Sequence, residues 1–412
     1  NKLAPGLGSI LDGPVSVELT WQGDRKQGVS VDLRSATLTV PWIGWSKGQG
    51  IGATAKFDLT SGDNNQSTIE NFVLAGDGFG ASGDLSVNRD GLQAANFSKV
   101  RLAPDDNVAL TIRNTKGVYV VKASGSAFDA RSLISILKQP DAGNGSDGSG
   151  GGSSGPALRI EGKLDRVVGF GNEALSGVSL VYSGNKGRVN AVDFSGVTGS
   201  GQAVVAKLRS PEGPRELSFT SSDLGSVVRF LDVYNRLSGG LANLRLTEIR
   251  PGSWSGNLDV RNVQVNNEER LQSIVSTPAD AEGRSLNSAV RRDIDVSSAR
   301  FQRAFARISV VDGTLSVENG IVRGEQIGAT FQGIVRDRSG RIDLTGTFMP
   351  AYGLNRLFGE LPVIGAILGN GRDRGLLGIT FKLTGASAKP NLFINPLSII
   401  APGVFRSIFQ FQ

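Results

Sequence analysis

Gly78-Phe79-Gly80-Ala81-Ser82-Gly83 has the spacing of a phosphate-cradling glycine loop, and Asp32, Asp58, Asp193 and Asp343 are carboxylates on which acid–base chemistry would draw. A dinucleotide loop needs a helix directly after it, so that the helix N-terminus meets the pyrophosphate. Here Asp84-Leu85-Ser86-Val87 follows, with the alternation of a strand. The four aspartates stand in alternating stretches, where they face solvent. A glycosidase pair needs two carboxylates facing one cleft. Gly143-Asn144-Gly145-Ser146-Asp147 begins like a calcium-binding nonapeptide, but one copy without its apolar anchor cannot stack into the β-helix such sites need. The 412 residues include no His and no Cys. Ser-His-Asp and Cys-His machinery is therefore excluded, and so are imidazole and thiolate metal ligation. No catalytic residue, metal or cofactor is expected.

Charge does not supply a partner of another kind. The net charge is +6, with basic residues scattered. Arg291-Arg292 and Arg372-Asp373-Arg374 are the densest groupings, too short for the basic stripe with interleaved aromatics that nucleic acid demands. No nucleic-acid partner is expected, and the surplus charge fits a solvated surface with weak attraction to anionic phospholipid. No run reaches the roughly 18 apolar residues of a spanning helix.

What remains is the chain's regular alternation. With 56 Gly, 15 Pro and 39% apolar residues, the composition is that of many short strands and turns with ample material to bury. Val29/Val31/Leu33, Leu38/Val40, Phe57/Leu59, Leu85/Val87, Val108/Leu110/Ile112 and Val118/Val120 repeat at period 2. Asn88-Arg89-Asp90-Gly91 and Asn114-Thr115-Lys116-Gly117 separate them as hairpin turns. Residues 1–139 read as a meander ending in a short helix capped by Asp129, and 140–156 as a Gly/Ser-rich linker. Residues 157–300 form a second strand-rich segment. It carries an Asp223-capped helix near 223–237, stopped by Gly239-Gly240, and a polar end in which Leu271, Ile274 and Val275 suggest a further helix. Residues 301–412 return to strands and close with amphipathic helices.

Strands so outnumber helices that helices cannot cover the apolar face of the sheet. A closed sandwich or barrel, or a curved sheet holding acyl chains, are the alternatives. A transmembrane barrel would need aromatic girdles, and four Tyr and four Trp are too few.

Three stretches carry a family resemblance. They are Trp21-Gln22-Gly23 with Val40-Pro41-Trp42-Ile43-Gly44-Trp45-Ser46-Lys47-Gly48; Ser221-Ser222-Asp223-Leu224-Gly225 through Tyr234 to Gly239-Gly240; and Gly346-Thr347-Phe348-Met349-Pro350 through Asn395-Pro396 to Ala401-Pro402-Gly403. Together they resemble the AsmA-like superfamily of bacterial envelope proteins, in its YhdP-like branch, with TamB-like proteins more distant. The resemblance implies a mainly β fold: a long, twisted antiparallel sheet curved into an open hydrophobic groove, with a few short amphipathic helices. It implies non-enzymatic phospholipid transport between the inner and outer membranes. The implied location is the periplasm of the Gram-negative envelope, with an inner-membrane anchor in an N-terminal segment outside this chain. The alternative is a TamB-like periplasmic scaffold or outer-membrane assembly factor that engages an envelope protein at a sheet edge.

The positions expected to line such a groove are Val31, Leu33, Leu38, Phe57, Leu59, Leu110 and Val120 in the first part. Leu180 and Phe219 follow, then Leu315, Phe331, Leu344, Phe381 and Ile394. Leu354, Leu357, Phe358, Ile364, Ile367 and Leu368, with Val404, Phe405, Ile408 and Phe409, are expected to contact a membrane surface or cap the groove.

Overall fold

A computed structural model describes residues 10–23, 25–62, 66–138, 156–185, 188–210, 213–276, 295–350 and 379–395. Strands make up 69% of the described residues, among which the α-helices are three and short, so sheet pairing rather than helix packing organises them. The chain divides into two compact units, residues 1–201 with 205–209, and 202–204 with 210–412.

In the first unit the strands are β1 (Leu11–Asp12), β2 (Ser16–Trp21), β3 (Lys26–Asp32), β4 (Thr37–Val40), β5 (Trp45–Lys47) and β6 (Ala53–Ser61). They continue with β7 (Ser67–Gly76), β8 (Phe79–Asn88), β9 (Gly91–Arg101), β10 (Asn107–Thr115) and β11 (Val118–Asp129). Helix α1 (Arg131–Leu137) precedes β12 (Ala157–Val168), β13 (Ala174–Asn185) and β14 (Arg188–Val197), and β15 (Ala203–Arg209) falls where the units divide. The main sheet runs β2-β3-β6-β7-β8-β9-β10-β11-β12-β13-β14 by neighbouring pairs. Strands β1, β4 and β5 form a separate three-stranded sheet.

The second unit holds β16 (Glu216–Ser221), α2 (Leu224–Phe230), β17 (Leu237–Arg250), β18 (Ser253–Asn266), α3 (Glu269–Ser276), β19 (Ser298–Val311) and β20 (Thr314–Gly324). It ends with β21 (Ile327–Arg336), β22 (Arg341–Pro350), β23 (Ile379–Ala386) and β24 (Lys389–Asn395). These strands pair in chain order, each antiparallel to the next. The sheet is open: no described pairing closes it into a barrel.

The expected glycine loop is a hairpin. Gly78 has φ +85° in the turn between β7 and β8, and the residues after it are strand. Asp223 caps α2 as expected, accepting from the Ser226 amide at 3.0 Å. That helix is shorter than expected, because Leu237, the first residue of β17, already pairs with Val265 of β18. Gly239 and Gly240, expected to stop the helix, have φ +63° and +98° and form a kink within the strand. Asp129 lies one residue before the cap position of α1; its carboxylate accepts from the Arg131 amide and holds the Arg131 guanidinium. Strand β19 starts at Ser298, runs across the expected boundary at residue 300 and pairs along its length with β18.

The strands on either side of the Gly/Ser-rich stretch, β11 and β12, both belong to the first unit and pair directly and in parallel, Val118 opposite Ala157 and Asp129 opposite Val168. A parallel pair forces the chain to return the length of a strand, about 40 Å for twelve residues at roughly 3.3 Å each, before it can pair again. Residues 130–156 are the length of chain available for that return, and helix α1 opens it. Deleting residues 141–154 is expected to abolish the β11–β12 pairing, read as loss of amide-exchange protection across β12. Replacing them with an unrelated Gly/Ser sequence of equal length is expected to change nothing.

Candidate apolar binding face

Directly opposed residues in a sheet project from the same face, so the register decides which side chains share a surface. In the first unit Leu19, Val29 and Phe57 lie abreast, as do Val31, Ala55, Leu74 and Ala81. Leu110 is opposite Phe97 and Ala123, and Ile112 is opposite Ala95 and Val121. Val121 is level with Ile160, which faces Tyr182 and then Val192; Gly162 leads to Leu180 and Phe194. One face thus carries apolar side chains on each of the eleven strands, with Gln27 and Asn114 also on it.

The opposite face is polar. Asp58 lies opposite Glu70, with Lys26 Nζ 3.3 Å from the first and 3.5 Å from the second. The Asn71 amide donates to Asp58 at 2.9 Å and holds that carboxyl below its ordinary range, with Lys26 adding to the effect. Lys122–Glu161 and Arg159–Glu161 continue the polar side.

The second unit repeats the pattern. Phe219, Leu244, Leu258 and Ala306 lie abreast. Val322, Ala329 and Phe348 form another row, and Leu344 sits opposite Leu383 and then Leu392. Its other face carries Asp259 with Arg261 and Arg303, and Asp343 with Lys382 at 2.9 Å.

Both sheets curl toward the apolar side. Gly83, Gly125 and Gly256 belong to the apolar faces, and a Cβ on each would meet the neighbouring strand's backbone at 2.2, 2.1 and 1.8 Å. A flat sheet leaves room for a Cβ there; only a neighbour drawn over that face removes it. Bulky groups fill the gaps the glycines leave. Phe72 and Phe97 flank Gly83, and their rings meet edge to face at 6.0 Å; Phe331 and Phe381 flank Gly346.

One end of each face is covered from within its own unit. In the first, Leu11, Leu38 and Trp45 of the small sheet pack on Ala53, Ala55 and Phe79, with Trp45 and Phe79 edge to face at 5.0 Å. Lys47 pins this cover: it is 1% exposed, and its ammonium donates to the carbonyl oxygens of Leu33, of Arg34 at 3.5 Å and of Ala36 at 2.6 Å. Burial pushes its pKa down against the pull of Asp32. In the second unit Ile274 and Val275 of α3, Leu224 of α2 and Val296 pack on Ala242, Val260, Phe301 and Phe348. Beyond these covers the face is half-buried: Leu59, Leu110, Val121, Leu180, Phe331 and Phe381 all retain partial exposure.

Of the expected lining residues, Val31, Phe57, Leu59, Leu110 and Leu180 share the first unit's apolar face. Phe219, Leu315, Phe331, Leu344, Phe381 and Ile394 share the second's. Leu33 is 4% exposed in the core beneath the cover, and Leu38 belongs to the small sheet rather than the main one. Val120 is on the polar side, opposite Arg113, because Val121 and not Val120 aligns with Ile112. Sequence reasoning missed Phe72, Phe97 and Val121. Register shifts in β7, β9 and β10 break strict alternation, and Asn71 with φ +54° marks one of them. Leu354, Leu357, Phe358, Ile364, Ile367 and Leu368, and Val404, Phe405, Ile408 and Phe409, lie outside the described residues.

No family model, curated protein or solved structure matches this chain. The likeness to the AsmA-like superfamily therefore rests on the residues quoted for it.

Two substitutions test this construction. Gly256→Val forces a side chain into the β17 backbone and is expected to cost about 2 kcal/mol, read by denaturant melting. Lys47→Met leaves carbonyls unpaired beneath the cover and is expected to cost about 3 kcal/mol, with faster amide exchange in β4 and β5. A lysine whose folded pKa is depressed binds its proton more tightly when unfolded, so stability rises with pH from the folded pKa up to the ordinary 10.5. That rise is expected to vanish in Lys47→Met.

Proposed function

We propose that this protein is a non-enzymatic phospholipid carrier whose apolar sheet faces hold acyl chains while headgroups stay at the wet rim. The observation that carries the reading is the uncovered stretch of each face: apolar across every strand, curled inward and half-exposed. Acyl chains suit such a surface because each buried methylene contributes about 0.8 kcal/mol without directional demands. Binding of this kind is passive, so no nucleotide, metal or catalytic group is needed and any direction of flow comes from elsewhere. The resemblance to AsmA-like proteins supports a place in the periplasm of the Gram-negative envelope, moving phospholipid between the inner and outer membranes.

Purified protein is expected to carry phospholipid, detected by mass spectrometry of the native protein. A photo-crosslinking residue at Leu110 or Phe381 is expected to form lipid adducts, and one at Arg113, on the polar face, none. Combining Leu110→Asp with Leu180→Asp is expected to cut bound lipid about tenfold, a loss of roughly 1.4 kcal/mol. Absence of lipid, or equal labelling from both faces, overturns the proposal.

A further inference from the structure

Burial in the first unit's main sheet changes along the strands. Leu33 past the end of β3, Ala53 and Phe79 at the starts of β6 and β8, Val167 near the end of β12 and Leu175 near the start of β13 are between 4% and 7% exposed. The registers place all five at one end of the sheet. At the other end Leu59, Ile69, Val87, Ile112, Val121 and Ile160 are all half-buried.

Both covering elements stand at the buried end. The small sheet packs on Ala53, Ala55 and Phe79, and Trp45 Nε1 donates at 2.8 Å to the carbonyl of Leu102, in the turn from β9 to β10. Helix α1 follows β11 at that same end, and its Ile134 is 6% exposed. The two meet at Gly44, where a Cβ would lie 2.7 Å from both the Ser132 carbonyl oxygen and Ile136 Cδ1. They form one wall, tied down by Lys47. The uncovered part of β6, from Phe57 to Ser61, is about 14 Å long at roughly 3.4 Å per residue. One leaflet's hydrocarbon is about 15 Å deep, half of a bilayer core of roughly 30 Å. The longest undescribed stretch between strands of this unit, residues 139–155, has no apolar side chain beyond Pro140 and Ala142 with which to cover that length.

We propose that this wall orients the bound lipid. Acyl chains lie along the strands with their methyl ends against the small sheet and α1. The headgroup sits at the opposite strand ends, beside the turns that join β2 to β3, β6 to β7, β8 to β9 and β10 to β11. The reverse orientation would press the headgroup against Leu11, Leu38 and Trp45 at the cost of its hydration. A chain laid across the strands would leave its headgroup over the apolar rows themselves. This orientation presupposes the bound lipid proposed above and adds to it a direction and a depth of one leaflet.

Two spin-labelled phosphatidylcholines distinguish the ends, one with its nitroxide on the headgroup and one with it near the chain methyl. Each is loaded onto the whole protein, and side-chain methyl signals are followed by NMR. The headgroup label is expected to broaden Leu59, Val87 and Ile112 at least threefold more than Leu74, and the chain-end label to do the reverse. Lys47→Met, with its wall loosened, is expected to weaken that contrast at least twofold. Equal or opposite contrast in the native protein overturns the orientation while leaving lipid binding in place. An undiminished contrast in Lys47→Met overturns the part given to the wall. No broadening by either label, with no lipid retained, overturns the lipid reading and the orientation together.

Discussion

Register is the constraint on which everything else depends. A strand has one residue per side per step, so a slip of one would exchange apolar and polar faces along the whole ladder. Here the ladder passes Leu110 to Ala123, Ile112 to Val121 and on through Ile160 to Tyr182 without a slip, even across the parallel pair. Where a strand carries an extra residue, the neighbouring register shifts with it. Between β8 and β9, Val100 and Phe97 both reach the apolar face although they are three residues apart, because the pairing skips at Gly83. The bulges preserve the face while bending the sheet.

Curvature and composition are linked through the same residues. Gly83 lies between Phe72 and Phe97, Gly256 between Leu246 and Ile308, and Gly346 between Phe331 and Phe381. Each missing side chain lets a neighbouring strand come close on the apolar side; at Gly83 the Phe72 and Phe97 rings meet, and at Gly256 Leu246 and Ile308 join one cluster. A high glycine content in strands usually weakens them. In these positions it sets the bend that lets a one-layer sheet pack its own side chains together. The cluster of Leu246, Ala306, Ile308 and Val317 is such a core, made from strands without any helix.

The fold class was legible because period-2 alternation survives in most strands, and the Asp223 cap because its local chemistry is complete within four residues. Three features were not. The parallel β11–β12 pair leaves no mark on either strand; the long Gly/Ser-rich stretch reads equally as a linker or as a return crossing. The separate small sheet could not be told from the main one, since Leu38 in β4 and Leu59 in β6 alternate alike. Val120 was assigned to the wrong side because Val118-Tyr119-Val120-Val121 is apolar at every position, and only pairing with Ile112 and Arg113 decides between the two sets. The face itself was readable from sequence; its bulges, its covers and its edge required neighbours distant along the chain.

The half-exposure of the apolar faces is not a failure of the chain to bury what it could. Where a cover exists, burial is complete: Val275 is 0%, Val296 1% and Phe348 2% exposed beneath and within the α3 cluster, and Lys47 is sealed under the small sheet. Among the described residues no such cover lies over Leu110, Val121 or Leu180, which stay half-buried although each is as apolar as the residues that are covered. A sandwich would have spent its second layer there. Instead the polar residues sit together on the reverse side, tied by Lys26, Lys122 and Arg159 to their carboxylates, which fixes that side as the one facing water. An apolar surface left half-exposed among the described residues is what the proposed reading requires, because a flexible, non-directional hydrocarbon needs apolar contact and no fixed polar partner.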